Sequence, residues 1–585
     1  MLQFWISITP AEATPSAPPS RGVPLPDCAL FDRVLGSRRV RVLGTPETAR
    51  AHSRPEPSPW EQGLGKRHAT FLTNPEDDDD PRAVIDEQAR AVTIIVPYSS
   101  TTQTFFTRRN EELLFSSDPR LLHARGMSLD PQAVLCLFEF GALVPPLSPW
   151  REVRRLPPGF RTTIDLDTLA WKSERLDVWG PQPSGEAARE PASQETLVAA
   201  ELDRVLQRTC RDGRPLILFS GGVDSGLLAA RAKALGWNET RLFHYRMSAD
   251  DPEGALAERM ARALGLPLAV RTNDFADWAD PIAHLARDYT QPLGDYSMIP
   301  TRLLTADVLS QAGTTSVVWD GTGADGVFGS FAKLARWQGL YAQPGALRAL
   351  AGWWYRAARM WGSDTRLSRR LGAARISRMM PELLASMIAE NPLRGIAYHA
   401  SDEDARALHE RVVRDIEGFA APLAEEDAAA RVLDLRHIIC DFTAQKDAPL
   451  FLGAHPDIAY PFLDPRIVRL GFRAAVSWPG PRGESKAVLK RLLANAIGPE
   501  MVYRPKSGFT PPIAAGFREG VLRRALEAVL ERGHPLAPFL NQRTLSGMVR
   551  RAGSGDLPHR VYNFLWMVMS ATHWLEQFER METRE

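Results

Sequence analysis

The spacing of apolar residues divides the chain into two parts. Residues 1–180 carry short apolar runs separated by polar loops, a spacing typical of β-strands. Runs 93–98 and 104–109 predict a hairpin that turns through 99–102, and residues 1–8 predict a first strand. The N-terminal part is therefore predicted to contain mainly short strands.

From Pro215 the pattern changes, because strand-like apolar runs alternate with stretches of helical spacing. Strands separated by helices indicate a parallel, doubly wound α/β sheet, which binds its ligands at the carboxyl ends of the strands. The predicted strands are 216–219, 241–247, 268–271 and 316–319, and helices are predicted over 195–208 and 253–264.

Length and composition narrow the class of protein. The 585 residues suit two or three domains, and 44% hydrophobic with 24% charged residues is typical of a globular protein. A net charge of +1 gives no reason to expect nucleic-acid binding. The four cysteines show no CxxC spacing, so neither a zinc site nor a disulfide framework is predicted. No apolar run approaches the ~20 residues of a membrane span, and a cytoplasmic location is expected.

Candidate chemistry begins at the end of the first strand of the second part. That strand runs into Ser220, Gly221 and Gly222, followed by Asp224 and Ser225 at the start of a predicted helix. Adjacent glycines let successive backbone N–H groups form a concave site for an oligophosphate at the helix N-terminus. The Asp224 carboxylate would repel phosphate unless a divalent metal lies between them, which indicates Mg²⁺. The alternative is a tight turn that only opens a helix.

This turn resembles the pyrophosphate loop of the ATP pyrophosphatase superfamily, Ser-Gly-Gly-x-Asp-Ser, at every defined position. It lacks the Gly-Lys-Ser/Thr ending of a Walker loop, and with it the lysine that favours attack at the terminal phosphate. The resemblance implies that ATP is cleaved between its α and β phosphates, giving an adenylate and pyrophosphate. It therefore implies ATP and Mg²⁺ as cofactors.

A second glycine turn follows the predicted strand 316–319. Its glycines, Gly321, Gly323 and Gly326, fit a dinucleotide fingerprint formally, but the acidic residue that fingerprint requires further on is absent. The turn is more similar to the Ser-Gly-Glu-Gly-Ser-Asp-Glu pattern of asparagine synthetases. That resemblance places Gly321 and Gly323 at the nucleotide and makes Asp325 a ligand, with Asp224, of one magnesium ion. The alternative for Asp325 is a helix N-cap.

Thr322 departs from both related patterns. Asparagine synthetases have glutamate at this position, and β-lactam synthetases have a tyrosine of their proton-removing dyad. Because threonine has no useful acid–base capacity near neutral pH, the base must come from elsewhere or the amine must arrive deprotonated. Possible bases further along the chain are His437, Asp441, Asp447 and His455.

The N-terminal part resembles the glutaminase domain of asparagine synthetases, an N-terminal-nucleophile-type α+β domain, through the Leu-Pro-Pro-Gly element at 156–159. That domain works through a cysteine at position 2, and this chain has Leu2 there. The resemblance implies an inactive glutaminase-like domain over 1–180. It implies a synthetase domain of the ATP-pyrophosphatase type over 195–585.

The segments after residue 434 resemble the C-terminal half of the same synthetase domain. Lys506 corresponds to the lysine that faces the adenylate, where an ammonium neutralises charge that develops during reaction. The alternative is an ordinary surface lysine. A helical insertion is predicted over about 331–430, where basic residues and tryptophans are interleaved between Lys333 and Arg378. This stretch fits either a surface that grips a peptide or an amphipathic helical pair.

The resemblance implies an ATP-dependent ligase that forms an amide through an adenylate. Because no glutaminase nucleophile stands at Leu2, a substrate amine and ring closure are favoured. The most favoured relative is a lasso peptide cyclase, a macrolactam synthetase that acts on a precursor core peptide. Its expected partners are a leader peptidase and a leader-peptide recognition protein. The alternatives are β-lactam synthetase-like cyclisation, asparagine synthetase-like amidation, and a non-catalytic binding scaffold, which Asp224, Asp325 and Lys506 argue against.

Overall fold

The structure is a computed structural model, and it contains a mixed α/β fold with two antiparallel sheets and one parallel sheet. The residues it describes are 4–12, 28–35, 37–44, 68–71, 81–86, 88–179, 191–313, 317–329, 393–423, 428–452, 456–472, 486–504, 511–531, 533–555 and 557–583.

The N-terminal part forms the two antiparallel sheets. One has the strand order β2-β3-β1-β8-β7-β9, and the other has the order β11-β10-β6-β5-β4. The strands are β1 (Phe4–Pro10), β2 (Cys28–Leu35), β3 (Arg38–Gly44), β4 (His68–Phe71), β5 (Arg82–Asp86), β6 (Ala91–Val96), β7 (Phe105–Arg109), β8 (Glu112–Ser116), β9 (Val153–Arg155), β10 (Phe160–Asp165) and β11 (Trp171–Arg175).

One apolar cluster is shared by residues of both sheets. Alternate side chains of β1, Phe4, Ile6 and Ile8, lie in this cluster with Ile85 of β5 and Ile94 of β6. Side chains alternate between the two faces of a strand, and the intervening β1 residues Trp5 and Ser7 are buried as well. The predicted first strand is thus a central strand covered on both faces.

The predicted hairpin between 93–98 and 104–109 is wrong. Strand β6 pairs with β5 and β10, whereas β7 pairs with β8 and β9 in the other sheet. Residues 97–104 therefore cross from one sheet to the other. The composition of the Ser/Thr run within them predicts a surface turn, but the run is buried. Its backbone carbonyls accept hydrogen bonds from distant side chains.

The C-terminal part contains the predicted parallel sheet. Its order is β14-β13-β12-β15-β16, and every neighbouring pair is parallel. Four of its strands coincide with the predicted runs, and β16 is an added edge strand. The strands are β12 (Leu216–Leu218), β13 (Arg241–Arg246), β14 (Leu268–Thr272), β15 (Val317–Asp320) and β16 (Asp457–Ala459).

Helices surround this sheet, and two of them match the predicted helices at 195–208 and 253–264. Most of the predicted insertion, residues 331–392, lies outside the described residues, and helix Asp402–Ala420 falls within its remainder. The α-helices are Pro119–Leu122, Pro131–Phe140, Pro191–Thr209, Val223–Ala234, Pro252–Leu264, Ala279–Ala283, Leu285–Asp288, Met298–Ser310, Ala324–Phe328, Asp402–Ala420, Ala428–Leu433, Pro465–Phe472, Ala487–Ile497, Pro499–Val502, Ile513–Arg518, Val521–Leu530, Gln542–Ala552 and His559–Thr583.

A buried ion cluster joins the two parts of the chain. Arg155 of β9 pairs with Asp441 at 2.5 Å, and Arg436 pairs with the same carboxylate. Arg436 also donates to the backbone oxygens of Tyr98 (2.6 Å) and Ser100 (3.1 Å). This contact fixes the sheet crossover against the C-terminal part. Within the described residues, no helix is long and apolar enough to span a membrane.

Candidate active site

The phosphate-binding candidate lies where β12 meets helix Val223–Ala234. Ser220 Oγ accepts the Gly222 backbone N–H at 3.2 Å and lies 3.2 Å from Ser225 Oγ. The helix begins at a glycine cap with no side-chain hydrogen bond, so no capping side chain uses the N–H groups of its first turn. The turn therefore presents backbone donors and the positive end of a helix at the carboxyl edge of the sheet.

Gly221 is required at this turn for two reasons. Its φ of +73° lies in the left-handed region, which costs L-residues with a Cβ about 1–2 kcal/mol. A Cβ on Gly221 would also lie 3.0 Å from the Cα of Ala257, in helix Pro252–Leu264. The loop backbone thus packs directly on the neighbouring helix.

The second glycine turn touches the first. A Cβ on Gly321 would lie 2.9 Å from the backbone nitrogen of Ser225 and 3.0 Å from Cβ of Asp224. Gly323 has a φ of +116°, and helix Ala324–Phe328 begins immediately after it with Asp325 in its first turn. The close approach at Gly321 brings the two helix starts, and with them the two aspartates, to one place.

Lys486 joins these two aspartates. Its Nζ lies 2.7 and 2.6 Å from the two carboxylate oxygens of Asp224 and 2.8 Å from Oδ1 of Asp325. The lysine side chain is 6% exposed, whereas the carboxylates of Asp224 and Asp325 are 20% and 39% exposed. The cluster therefore has a buried cation beneath two carboxylates that reach solvent.

The place of Lys486 between the two aspartates affects both its backbone conformation and the pKa of its side chain. Its φ of +54° is in the left-handed region, which is strained for a non-glycine residue and must be stabilised by the surrounding contacts. Burial lowers the pKa of Lys486, but the two carboxylates raise it more, so the pKa lies above its usual range. The ammonium thus stays charged at neutral pH.

The two carboxylates fit a magnesium ion that is also bound by phosphates. Mg²⁺ commonly takes one or two protein carboxylates and completes its coordination with phosphate and water. Asp224 and Asp325, which meet at Lys486, would be its protein ligands. Among the described residues, no group of three or more His, Cys, Asp or Glu side chains is placed to hold a metal. This donor set suits a metal that binds together with its nucleotide.

A further cation contacts the phosphate turn. Arg504 donates to the backbone oxygen of Gly221 at 3.2 Å and to Glu253 at 3.1 Å. Lys506, the predicted catalytic lysine, lies outside the described residues, and so does the predicted basic and aromatic stretch between Lys333 and Arg378.

Two of the possible bases belong to the buried junction. Asp441 is fully buried, and Arg155 and Arg436 hold its pKa far below the usual range although burial acts to raise it. His437 lies 3.3 Å from both Asp441 and Asp415, and it is nearly as buried. These groups are committed to ion pairs within the protein. His455 lies outside the described residues.

Three of the four cysteines are poor nucleophiles. Cys136, Cys210 and Cys440 are buried, and burial raises the pKa of each thiol to about 12. Because the thiolate is the reactive form, none of these three cysteines is suited to hydrolyse glutamine near neutral pH.

Sequence reasoning missed Lys486 and Arg504 as site residues. Lys486 is 262 residues from Asp224, and its neighbours match the synthetase pattern without giving the lysine a role. Charge gave only a general signal, because two carboxylates beside a phosphate site suit a nearby cation but no local pattern selects Lys486 among the lysines of the chain.

A parallel sheet with a glycine turn at its carboxyl edge is typical of the α/β class of nucleotide-binding proteins. The sequence model of the family described as asparagine synthase matches residues 197–576, which is more than half of the chain. The chain therefore belongs to the asparagine synthase family.

Three relatives are described as putative asparagine synthetase (glutamine-hydrolyzing). One is from Mycobacterium bovis and two are from strains of Mycobacterium tuberculosis. Each is 23% identical over 446 residues, which covers 71% of this chain. The chain spans about 63% of the length of these relatives.

Proposed function

We propose that the protein is an AMP-forming ligase that activates a substrate carboxylate as an adenylate and closes an amide bond with an amine. The observation that carries this proposal is the convergence of Asp224, Asp325 and Lys486 beside the glycine turn at Ser220–Ser225. Two carboxylates and one buried ammonium at a phosphate-binding helix start suit a pyrophosphate leaving group with its metal.

The residues take separate roles in this proposal. Backbone donors of Gly221 and Gly222 and the hydroxyls of Ser220 and Ser225 hold the phosphates. Asp224 and Asp325 would hold Mg²⁺, which when bound neutralises charge that builds up on the departing pyrophosphate. The ammonium of Lys486 fixes the two carboxylates and adds positive charge at the same point.

The finer proposal is macrolactam formation on a peptide. A core peptide would offer an Asp or Glu side chain for adenylation and its own N-terminal amine for attack, as in lasso peptide cyclases. A tethered amine gains effective concentration and needs no ammonia source. The buried, high-pKa cysteines Cys136, Cys210 and Cys440 support an amine that does not come from glutamine. The proposal includes a leader peptidase and a leader-recognition protein as partners in the cytoplasm.

The second candidate is amidation of a free amino acid, as the names of the mycobacterial relatives imply for those proteins. In that case the amine is ammonia and the carboxylate belongs to aspartate or a similar small acid. A β-lactam synthetase-like reaction on a small β-amino acid is less well supported, because Thr322 stands where those enzymes have tyrosine.

Carboxylate-dependent exchange of labelled pyrophosphate into ATP tests the adenylation step. The carboxylate panel consists of core peptides with an internal Asp or Glu, aspartate, and small β-amino acids. Loss of one water from a peptide, with AMP formed, supports macrolactam synthesis. Exchange with aspartate alone moves the assignment to amidation, and the absence of exchange with every carboxylate contradicts the proposal.

The matched variants are Asp224→Asn and Asp203→Asn. Asp203 pairs with Arg231 of the helix that carries Asp224, at 2.8 and 2.5 Å, but away from the phosphate turn. The account expects exchange to fall in Asp224→Asn and to be retained in Asp203→Asn. Equal losses in the two variants would assign the effect to the helix rather than to the site.

A further inference from the structure

A second pair of carboxyl groups lies at the edge of the sheet that carries the phosphate turn. Asp320 is the last residue of β15, and the parallel register sets it beside Leu218 of β12. Its Oδ1 accepts the Thr322 backbone N–H at 2.5 Å, and the residue is half-buried. Gly321, which packs on the phosphate turn, follows it directly. Asp320 therefore stands next to the candidate phosphate site with part of its surface open.

Asp447 is a neighbour of Asp320 and has no exposed surface. Its Oδ1 accepts hydrogen bonds from the Tyr460 hydroxyl at 2.8 Å and from the Ala448 N–H at 2.9 Å. Its Oδ2 has no hydrogen-bond partner among the described residues. The parallel register sets Trp319 beside Ala459, so Asp320 and Tyr460 follow at the same end of neighbouring strands. The Tyr460 hydroxyl brings Asp447 next to the Asp320 carboxyl. A buried carboxyl oxygen opposite another carboxylate is satisfied when one proton lies between them.

The surroundings favour the protonated form of Asp447. Burial raises its pKa well above the usual range, and the nearby Asp320 raises it further. Lys446 and Tyr460 act in the opposite direction without cancelling these effects. A protonated Asp447 donates to Asp320, so two carboxyl groups can coexist in this partly dry site.

We propose that Asp320 accepts the proton of the attacking amine, and that Asp447, held by Tyr460, positions and supports Asp320. This assigns an acid–base group to a chain that has threonine where related synthetases carry glutamate or tyrosine. The inference rests on the proposed ligase function. Asp320 is the catalytic residue in it, and Asp447 and Tyr460 are positioning residues.

The step balances without another reactant. The amine nitrogen forms a bond to the acyl carbon of the adenylate, and the bond from that carbon to the phosphate oxygen breaks. AMP leaves with the electron pair of that bond. The proton lost by the amine goes to the Asp320 carboxylate, whose other neighbour, Asp447, is already protonated.

The shared proton can be tested without any substrate. Infrared spectra of protein labelled with ¹³C-aspartate are recorded at neutral pH for the wild type and for Asp447→Asn, Tyr460→Phe and Asp167→Asn. Asp167 is an exposed carboxylate that pairs with Arg90 in the N-terminal part. We expect a protonated-carboxyl band that is lost in Asp447→Asn, shifted in Tyr460→Phe and unchanged in Asp167→Asn. An unaltered band in Asp447→Asn overturns the assignment of the proton.

The catalytic part is tested by separating the two half-reactions. With a carboxylate that supports exchange in the wild type, Asp320→Asn should retain pyrophosphate exchange within a few-fold and lose amide formation about 100-fold. Hydroxylamine, which is largely uncharged at neutral pH, should still trap the adenylate as a hydroxamate in this variant. Asp167→Asn should match the wild type in all three assays.

The outcomes separate the two proposals. Loss of exchange and of amide formation to the same extent in Asp320→Asn overturns the proton-acceptor role, and so does unchanged amide formation. If the wild type supports no exchange with any carboxylate, the ligase proposal fails and the catalytic role of Asp320 fails with it. The infrared result still decides whether the carboxyl pair holds a proton.

Discussion

Two ion clusters in this protein differ both in their charge balance and in their surroundings. Arg155, Asp441 and Arg436 at the junction are at most 1% exposed, and carbonyl oxygens satisfy further donors of Arg436. In the candidate site the lysine is buried, but the carboxylates of Asp224 and Asp325 are 20% and 39% exposed. The first cluster is closed by protein, whereas the second has two aspartate side chains that are partly exposed.

The difference indicates how to assign a role to a buried charge. A closed cluster has its charges paired within the protein, so its contribution is to join parts of the fold. The site cluster has one ammonium for two carboxylates and lies beside the candidate phosphate turn, so its remaining negative charge suits a metal cation.

Removal of the junction carboxylate should give the largest effect on stability. Asp441→Asn leaves Arg155 and Arg436 buried without their counter-charge, which is expected to cost about 3–5 kcal/mol of unfolding free energy. Urea unfolding followed by tryptophan fluorescence measures the change. Asp167→Asn, in an exposed ion pair, is the control and should change little. A loss in Asp441→Asn no larger than the control's would contradict the structural role.

A second closed cluster predicts an acid-sensitive contribution to stability. Glu139 is bonded by Arg394 (2.7 and 2.9 Å) and Tyr398 (2.6 Å), and His409 lies 3.6 Å away. Burial raises the pKa of Glu139, but His409, Arg394 and Tyr398 together lower it to about 2.

Because the pKa of Glu139 is lower in the folded state, its contribution is full above about pH 4.5 and is lost as the pH falls towards about 2. The contribution at neutral pH is about 3 kcal/mol. Unfolding measured from pH 7 to pH 2 should show the wild type losing its advantage over Glu139→Gln in this window. A constant difference between the two proteins would refute the linkage.

The site cluster should respond in activity more than in stability. Asp224→Asn is expected to lower pyrophosphate exchange about 100-fold. Its urea midpoint should move less than that of Asp441→Asn, because the Asp224 carboxylate is partly solvated already. A large stability loss with normal exchange would place Asp224 with the junction residues instead.

The smallest predicted change tests the phosphate turn itself. Gly221→Ala should cost about 1–2 kcal/mol from the left-handed φ, plus the close contact with Ala257. Gly236→Ala is matched, since Gly236 has a φ of +81° but nothing within 4 Å of an added Cβ. Equal unfolding free energies for the two variants would show that the contact with Ala257 contributes nothing.

Local patterns predicted the parallel sheet and the two glycine turns well, because strand periodicity and glycine turns are short-range properties. The hairpin failed because the Ser/Thr run at 99–102 has the composition of a surface turn, and only the distant Arg436 and Gln445 show that it is buried. Lys486 could not be placed for a similar reason. Its role depends on a left-handed backbone and on carboxylates from two other loops.

Which residues bind nucleotide and metal stays a prediction, although the structure brings Asp224 and Asp325 together as the glycine turns indicated. The positions of Asp320 and Asp447 were also beyond sequence reasoning. The sequence offered Asp447 as one of several possible bases. Asp320 became a candidate only because the sheet register and the packing of Gly321 on the phosphate turn place it beside the site.

The nucleotide products test the central claim most directly. Wild type, Asp224→Asn and Asp203→Asn are incubated with α- and γ-labelled ATP, magnesium and the carboxylate panel, and the labelled products are separated. The account predicts AMP and pyrophosphate from the wild type and Asp203→Asn, with at least about a 100-fold lower rate in Asp224→Asn. ADP and inorganic phosphate as the carboxylate-dependent products would contradict it, because they place cleavage at the terminal phosphate.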